Sequence, residues 1–196
     1  MITSQEVGRG LFGAWMLARL DAKGIFLFDN TVEAFWRSFW AAGVALPVYG
    51  MLLVVRDSGG VIGVGTGAAF LIHAIAYIMG WIAFPFVMFY VTRTFDRQQA
   101  YCRYIVAYNW AVVLQLSLML LVTSIAATGV IASSVGTILK IGAVLAILFY
   151  QGFIARVALR TTVPGAAGIV LLDLLLGLSL DWYSVRLLQI QFVTAG

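Results

Sequence analysis

Five long stretches of the chain are apolar on every face. They cover residues 36–55, 61–92, 104–128, 135–157 and 165–183, and short polar or charged connectors separate them. A run of about 18 apolar residues or more reads as a membrane-crossing helix, because each residue rises about 1.5 Å and the hydrocarbon layer is about 30 Å thick. The pattern predicts an all-α integral membrane bundle of five transmembrane helices. The second run is long enough to tilt or to project from the bilayer. Pro47 is expected to kink or soften the first span, and Pro85 sits toward the end of the second. Pro164 is well placed near the start of the fifth. The tail after Trp182 either continues that helix or bends into the interface.

The N-terminal region has a different pattern. Phe12, Trp15, Met16 and Leu20 share one face of a helix, while Arg19, Asp21 and Lys23 interrupt the run and Gly24 is a stop signal. Such an amphipathic segment lies in the membrane surface with its aromatics dipped in, or packs as a soluble helix on the ends of the spans. Met1 to Gly10 is polar and does not fit a cleavable signal peptide. Asn30 followed by Glu33 resembles a capping box at the start of the first span. Residues 1–35 are therefore read as an N-terminal cytosolic or interfacial segment, and residues 36–196 as the five-helix transmembrane domain. Phe35, Trp36, Arg37, Phe39 and Trp40 then form a headgroup-level aromatic belt.

Composition agrees. The chain of 196 residues is 63% apolar and 10% charged, against about 45–50% and about 25% for a soluble domain. The mean hydropathy is +1.02. The net charge of +4 would suggest nucleic acid in a soluble protein, but here it reads as topology, and no nucleic-acid partner is expected. Arg9, Arg19, Lys23, Arg37, Arg93, Arg97, Arg103, Arg156 and Arg160 fall on one side of the membrane, and Arg56, Lys140 and Arg186 on the other. Cationic loops stay in the cytosol, so the N-terminus is expected inside and the C-terminus outside, in a bacterial inner membrane. Gly60, Gly63, Gly65 and Gly67 lack the lysine of a phosphate-binding loop and are read as small residues that admit a neighbouring helix.

Candidate chemistry is sparse. Cys102 is the single cysteine and His73 the single histidine, too few for a zinc site built from such ligands. No catalytic motif is present, so no enzyme activity, metal or cofactor is expected. The informative residues are polar ones inside the apolar runs, where a charge is costly. His73, Gln115 and Asp173 fall near the middle of spans two, three and five. They form a candidate intramembrane polar site, read either as hydrogen-bonded helix glue or as a proton or substrate site. Lys140 and Asp181 lie on consecutive antiparallel spans and form a candidate ion pair, unless Lys140 snorkels alone to the headgroups. Asn109 and Gln151 read as helix glue.

Three stretches carry a family resemblance: "FLFDNTVEAFWRSFW" entering the first span, "AYNWAVVL" opening the third, and "GFIARVALRTTVPGAAGIVLLDLLL" joining the fourth to the fifth. With five spans, short loops and an N-terminal cytosolic segment, the layout resembles the Yip family of membrane proteins. The resemblance implies a five-helix fold and, in eukaryotic members, links to Rab GTPases and vesicle traffic. The expected function is a non-enzymatic membrane protein that assembles with or assists others. The expected partners are the lipid bilayer and either a membrane-protein partner or a second copy of the chain. The alternative is a small transporter or channel with an Asp173/His73 polar site.

Overall fold

The structure is a computed structural model that describes residues 3–57 and 67–195. Among the described residues the fold is all-α, with seven helices: α1 (Ser4–Ala18), α2 (Val32–Ser38), α3 (Trp40–Asp57), α4 (Gly67–Thr94), α5 (Tyr101–Ala127), α6 (Ser133–Leu159) and α7 (Val163–Ala195). Five helical stretches are long and apolar enough to cross a membrane: Val32–Arg56, Ala69–Thr94, Gln98–Ala127, Ser133–Leu159 and Val163–Leu188. The tail continues as helix to Ala195. Gly60, Gly63 and Gly65 lie outside the described residues, and Gly67 has nothing within 4 Å of the place a Cβ would take.

Helix α1 begins with a capping box. The Thr3 backbone N–H donates to Glu6 Oε2 at 2.9 Å, and the Glu6 N–H donates to Thr3 Oγ1 at 3.3 Å. Its buried residues are Gly10, Gly13, Ala14 and Leu17, which share one helical stripe. This stripe docks on α5 and α6, and the Tyr150 hydroxyl donates to the Ala14 carbonyl at 2.7 Å. The aromatic side is turned outward: Phe12 is 59% exposed and Trp15 54%. One helix thus packs on the bundle and also presents an apolar face. It ends at Ala18, well before Gly24. That glycine instead permits a close approach of the following turn, since a Cβ there would stand 2.8 Å from the Gly13 carbonyl oxygen.

The cap of the first span differs from the sequence reading. Thr31, not Asn30, caps α2 by accepting from the Ala34 N–H at 3.1 Å. Asn30 reaches across to the start of the third span, donating to the Gln99 carbonyl at 2.6 Å and accepting from the Arg103 N–H at 3.0 Å. The step in the first span falls at Phe39, between α2 and α3, and Pro47 lies inside α3.

Helix α5 is central, touching α1, α2, α3, α4 and α6. Helix α7 packs on α4 and α6. The main core joins Ala14, Leu17, Ile25 and Phe28 of the N-terminal segment to Met88, Tyr104, Ile105 and Ile154 of the spans. A separate small cluster of Ala69, Leu188 and Ile72 lies where α4 begins and α7 nears its end. The bundle has an α1 end, which carries the N-terminal helix, and an opposite, far end.

Candidate functional site

Three consecutive residues of α5 reach four neighbouring helices, because successive residues on a helix point about 100° apart. Tyr108 donates from its hydroxyl to Asp173 Oδ1 of α7 at 2.8 Å, and its ring stacks on Phe84 of α4 with centroids 4.3 Å apart. Asn109 donates to Ser38 Oγ of α2 at 2.8 Å. Trp110 fills the space beside Gly10 of α1, where a Cβ would stand 2.4 Å from the indole. All three are buried. A tyrosine or tryptophan in an apolar helix supplies bulk together with a polar atom. The short "YNW" string therefore joins α1, α2, α4 and α7 to the central helix.

Asp173 is half-buried. Its second oxygen, Oδ2, accepts from Gln151 Nε2 of α6 at 2.7 Å, and the same Nε2 lies 3.3 Å from Gln115 Oε1 of α5. The carboxyl is held from two sides, and three helices are tied through it. A carboxylate only accepts, and here both of its oxygens do so. Gln115 Nε2 and Asn109 Oδ1 find no partner among the described residues. The structure brings Gln115 and Asp173 into one network through Gln151, and the residue the sequence reading missed is Tyr108. The signal for it was available, since a buried phenol seeks an acceptor.

His73 is not part of this network. Ala69 packs near Leu188 at the far end, whereas Phe84 stacks on the tyrosine that holds Asp173. Between His73 and Phe84 lie about three helical turns, roughly 16 Å. The expected common depth fails because the α4 residue that sits beside the Tyr108–Asp173 bond is Phe84, not His73.

Lys140 and Asp181 do not form an ion pair either. Both are exposed, and among the described residues the ion pairs are Arg9–Asp29, Arg37–Glu6 and Arg37–Glu33. The antiparallel seam of α6 and α7 meets at Gln151–Asp173 and where Gly152 faces Val170. Lys140 lies about three turns from Gln151 and Asp181 about two turns from Asp173, so the two are offset along the seam and make no ion pair. The long lysine stem lets the ammonium move outward on its own.

The three ion pairs line a cleft of about 170 Å³ at the α1 end, between α1, α2 and α5. The Thr3 backbone N–H holds the Glu6 carboxyl below the usual glutamate range. Arg103 Nε donates to the Phe28 carbonyl at 3.1 Å and steadies the chain that forms one wall. Among the described residues, no three His, Cys, Asp or Glu side chains come close enough to share a metal ion.

No protein-family model, curated protein or solved structure matches this chain.

Proposed function

We propose that the chain is a non-enzymatic multi-pass protein of a bacterial inner membrane that works by assembling with, or assisting, other membrane proteins. The observation that carries this reading is the closed state of Asp173: both oxygens are engaged by neighbouring helices. An intramembrane carboxylate is by default a functional candidate. One already occupied on both oxygens acts as a clasp that fixes how α5, α6 and α7 meet. The Yip-like layout supports the same class of role.

The excess of arginine and lysine at the α1 end supports a cytosolic N-terminus and an outside C-terminus. Cys102 stands at the start of α5, on that side, and is half-buried. A membrane-impermeant maleimide is expected to miss it in intact cells and to label it in inverted vesicles. Labelling from outside reverses the orientation.

The second reading is a transporter or channel that uses Asp173. The unpartnered Gln115 Nε2 beside the network favours it. The distance of His73 removes half of the site first expected. Crosslinking in native membranes, followed by purification in mild detergent, tests the leading reading. It calls for one adduct of fixed stoichiometry, with a second copy or with one other membrane protein. A chain that stays monomeric and uncrosslinked at every reagent concentration contradicts it.

A further inference from the structure

The cleft at the α1 end carries chemistry that the assembly reading leaves unused. Two guanidiniums, Arg9 and Arg37, face three carboxylates, Glu6, Asp29 and Glu33. Arg37 binds both Glu6 and Glu33, and Arg9 binds Asp29. One negative charge is left over. Glu33 Oε2 and Asp29 Oδ1 accept no hydrogen bond among the described residues. Arg9 commits a single nitrogen to Asp29, and a guanidinium has five N–H donors. The cleft therefore offers free donors and free acceptors side by side. Leu27, Phe28, Val106 and Trp110 supply apolar wall.

Its position adds a second constraint. Arg37 lies in the first turns of the first candidate span, Val32–Arg56. Trp36 and Trp40 flank it at 67% and 54% exposure, and Trp15 of α1 is exposed as well. Exposed indoles gather at the level of lipid headgroups. We propose that this cleft holds the headgroup of a phospholipid that carries a primary amine. Its phosphate meets the open N–H groups of Arg9 and Arg37, with the planar fork suited to phosphate oxygens. Its ammonium meets Glu33 and Asp29. A choline headgroup has no N–H to give these carboxylates, and a glycerol headgroup has no cation. The arrangement thus selects ethanolamine over both.

The test uses the full chain in mild detergent, titrated with phosphatidylethanolamine, phosphatidylcholine or phosphatidylglycerol and read by native mass spectrometry. Phosphatidylethanolamine is expected to bind about tenfold more tightly than phosphatidylcholine, the fold-change for one charge-assisted hydrogen bond. Glu33→Gln leaves the Arg37–Glu6 pair in place and should erase most of that preference, with little effect on phosphatidylglycerol. Arg9→Gln should weaken all three lipids, and circular dichroism verifies that each variant is folded. Equal binding of the three lipids overturns the proposal, as does an ethanolamine preference that survives both substitutions. Displacement of the bound lipid by free phosphoethanolamine at equal concentration keeps the recognition chemistry but overturns the membrane as its source.

Discussion

At the α1 end, α5 buries nearly every residue from Tyr104 to Gln115, and Tyr108, Asn109 and Trp110 each bind a different neighbour. Toward the far end the same helix buries only Thr123. There, among the described residues, the buried apolar cluster is Ala69 and Leu188 with Ile72 against them, and Lys140 and Asp181 are exposed and not paired with each other. The α1 end is specified by protein–protein contacts of defined direction. The far end leaves most of its apolar surface to whatever surrounds the bundle. In lipid, apolar burial alone gives helices little reason to associate, so close packing and hydrogen bonds decide. The difference shows where the chain has placed those devices.

The largest expected effect contrasts a glycine from each end. A side chain at Gly10 must displace the buried Trp110 ring. Gly10→Leu is expected to destabilise by about 3 kcal/mol, the upper range for overpacking, and to release α1. At Gly142 nothing lies within 4 Å of a new Cβ. Gly142→Leu should change stability by about 1 kcal/mol or less, in the favourable direction, because glycine is a poor helix former. Denaturant melts in detergent compare the two. Equal losses at both sites would erase the contrast between the ends.

Next in size is the clasp. Asp173→Ala strands the buried Tyr108 hydroxyl and leaves Gln151 Nε2 only its longer bond to Gln115, and is expected to cost about 2 kcal/mol. Asp173→Asn retains an acceptor and should cost less. Combining Tyr108→Phe with Asp173→Ala should be clearly non-additive, since both act on one bond. Additive losses in thermal melts would separate the two residues.

Lys140 serves as the far-end counterpart. Because it makes no ion pair, Lys140→Ala and the Lys140→Ala, Asp181→Ala double change should both stay within about 0.5 kcal/mol, as for exposed sites. A single change worse than the double one would show that the pair closes in the membrane, since removal of one partner strands the other.

Five spans and their order were legible because a run of apolar residues long enough to cross a bilayer has few other uses. Asp173 was legible for the same reason: a carboxylate in "IVLLDLLLGL" has no place in lipid. Its partners were harder to read. Depth was counted from the ends of each apolar run, which does not tell which turn of α4 meets the Asp173 site, and that turn carries Phe84 rather than His73. Tyr108 escaped because a tyrosine raises no alarm in an apolar helix, although its hydroxyl is what reaches Asp173. Asn30 looked like a local cap, and only tertiary structure shows it bonded to the start of α5. The capping box that does form, Thr3 with Glu6 at the start of α1, went unread in the sequence.

The smallest effect is a pH dependence confined to the α1 end. Glu6 is held below the usual glutamate range, first by the Thr3 backbone N–H. A carboxyl with a depressed folded value contributes stability above its unfolded value and loses it as pH falls through the folded one. The first turn of α1 should therefore fray as pH drops below the ordinary glutamate range, with the spans intact. Hydrogen exchange of the α1 amides follows this, and Glu6→Gln should remove the pH dependence. Fraying that persists unchanged in Glu6→Gln would place its cause elsewhere.

The central claim is that Asp173 closes a joint between helices and handles no cargo. Purified protein in liposomes, with a pH-sensitive dye inside and an imposed proton gradient, tests it most directly. The wild-type chain and Asp173→Asn should both leak no faster than protein-free liposomes, while Asp173→Asn melts only slightly lower. A proton flux carried by the wild-type chain and abolished in a folded Asp173→Asn protein would contradict the account.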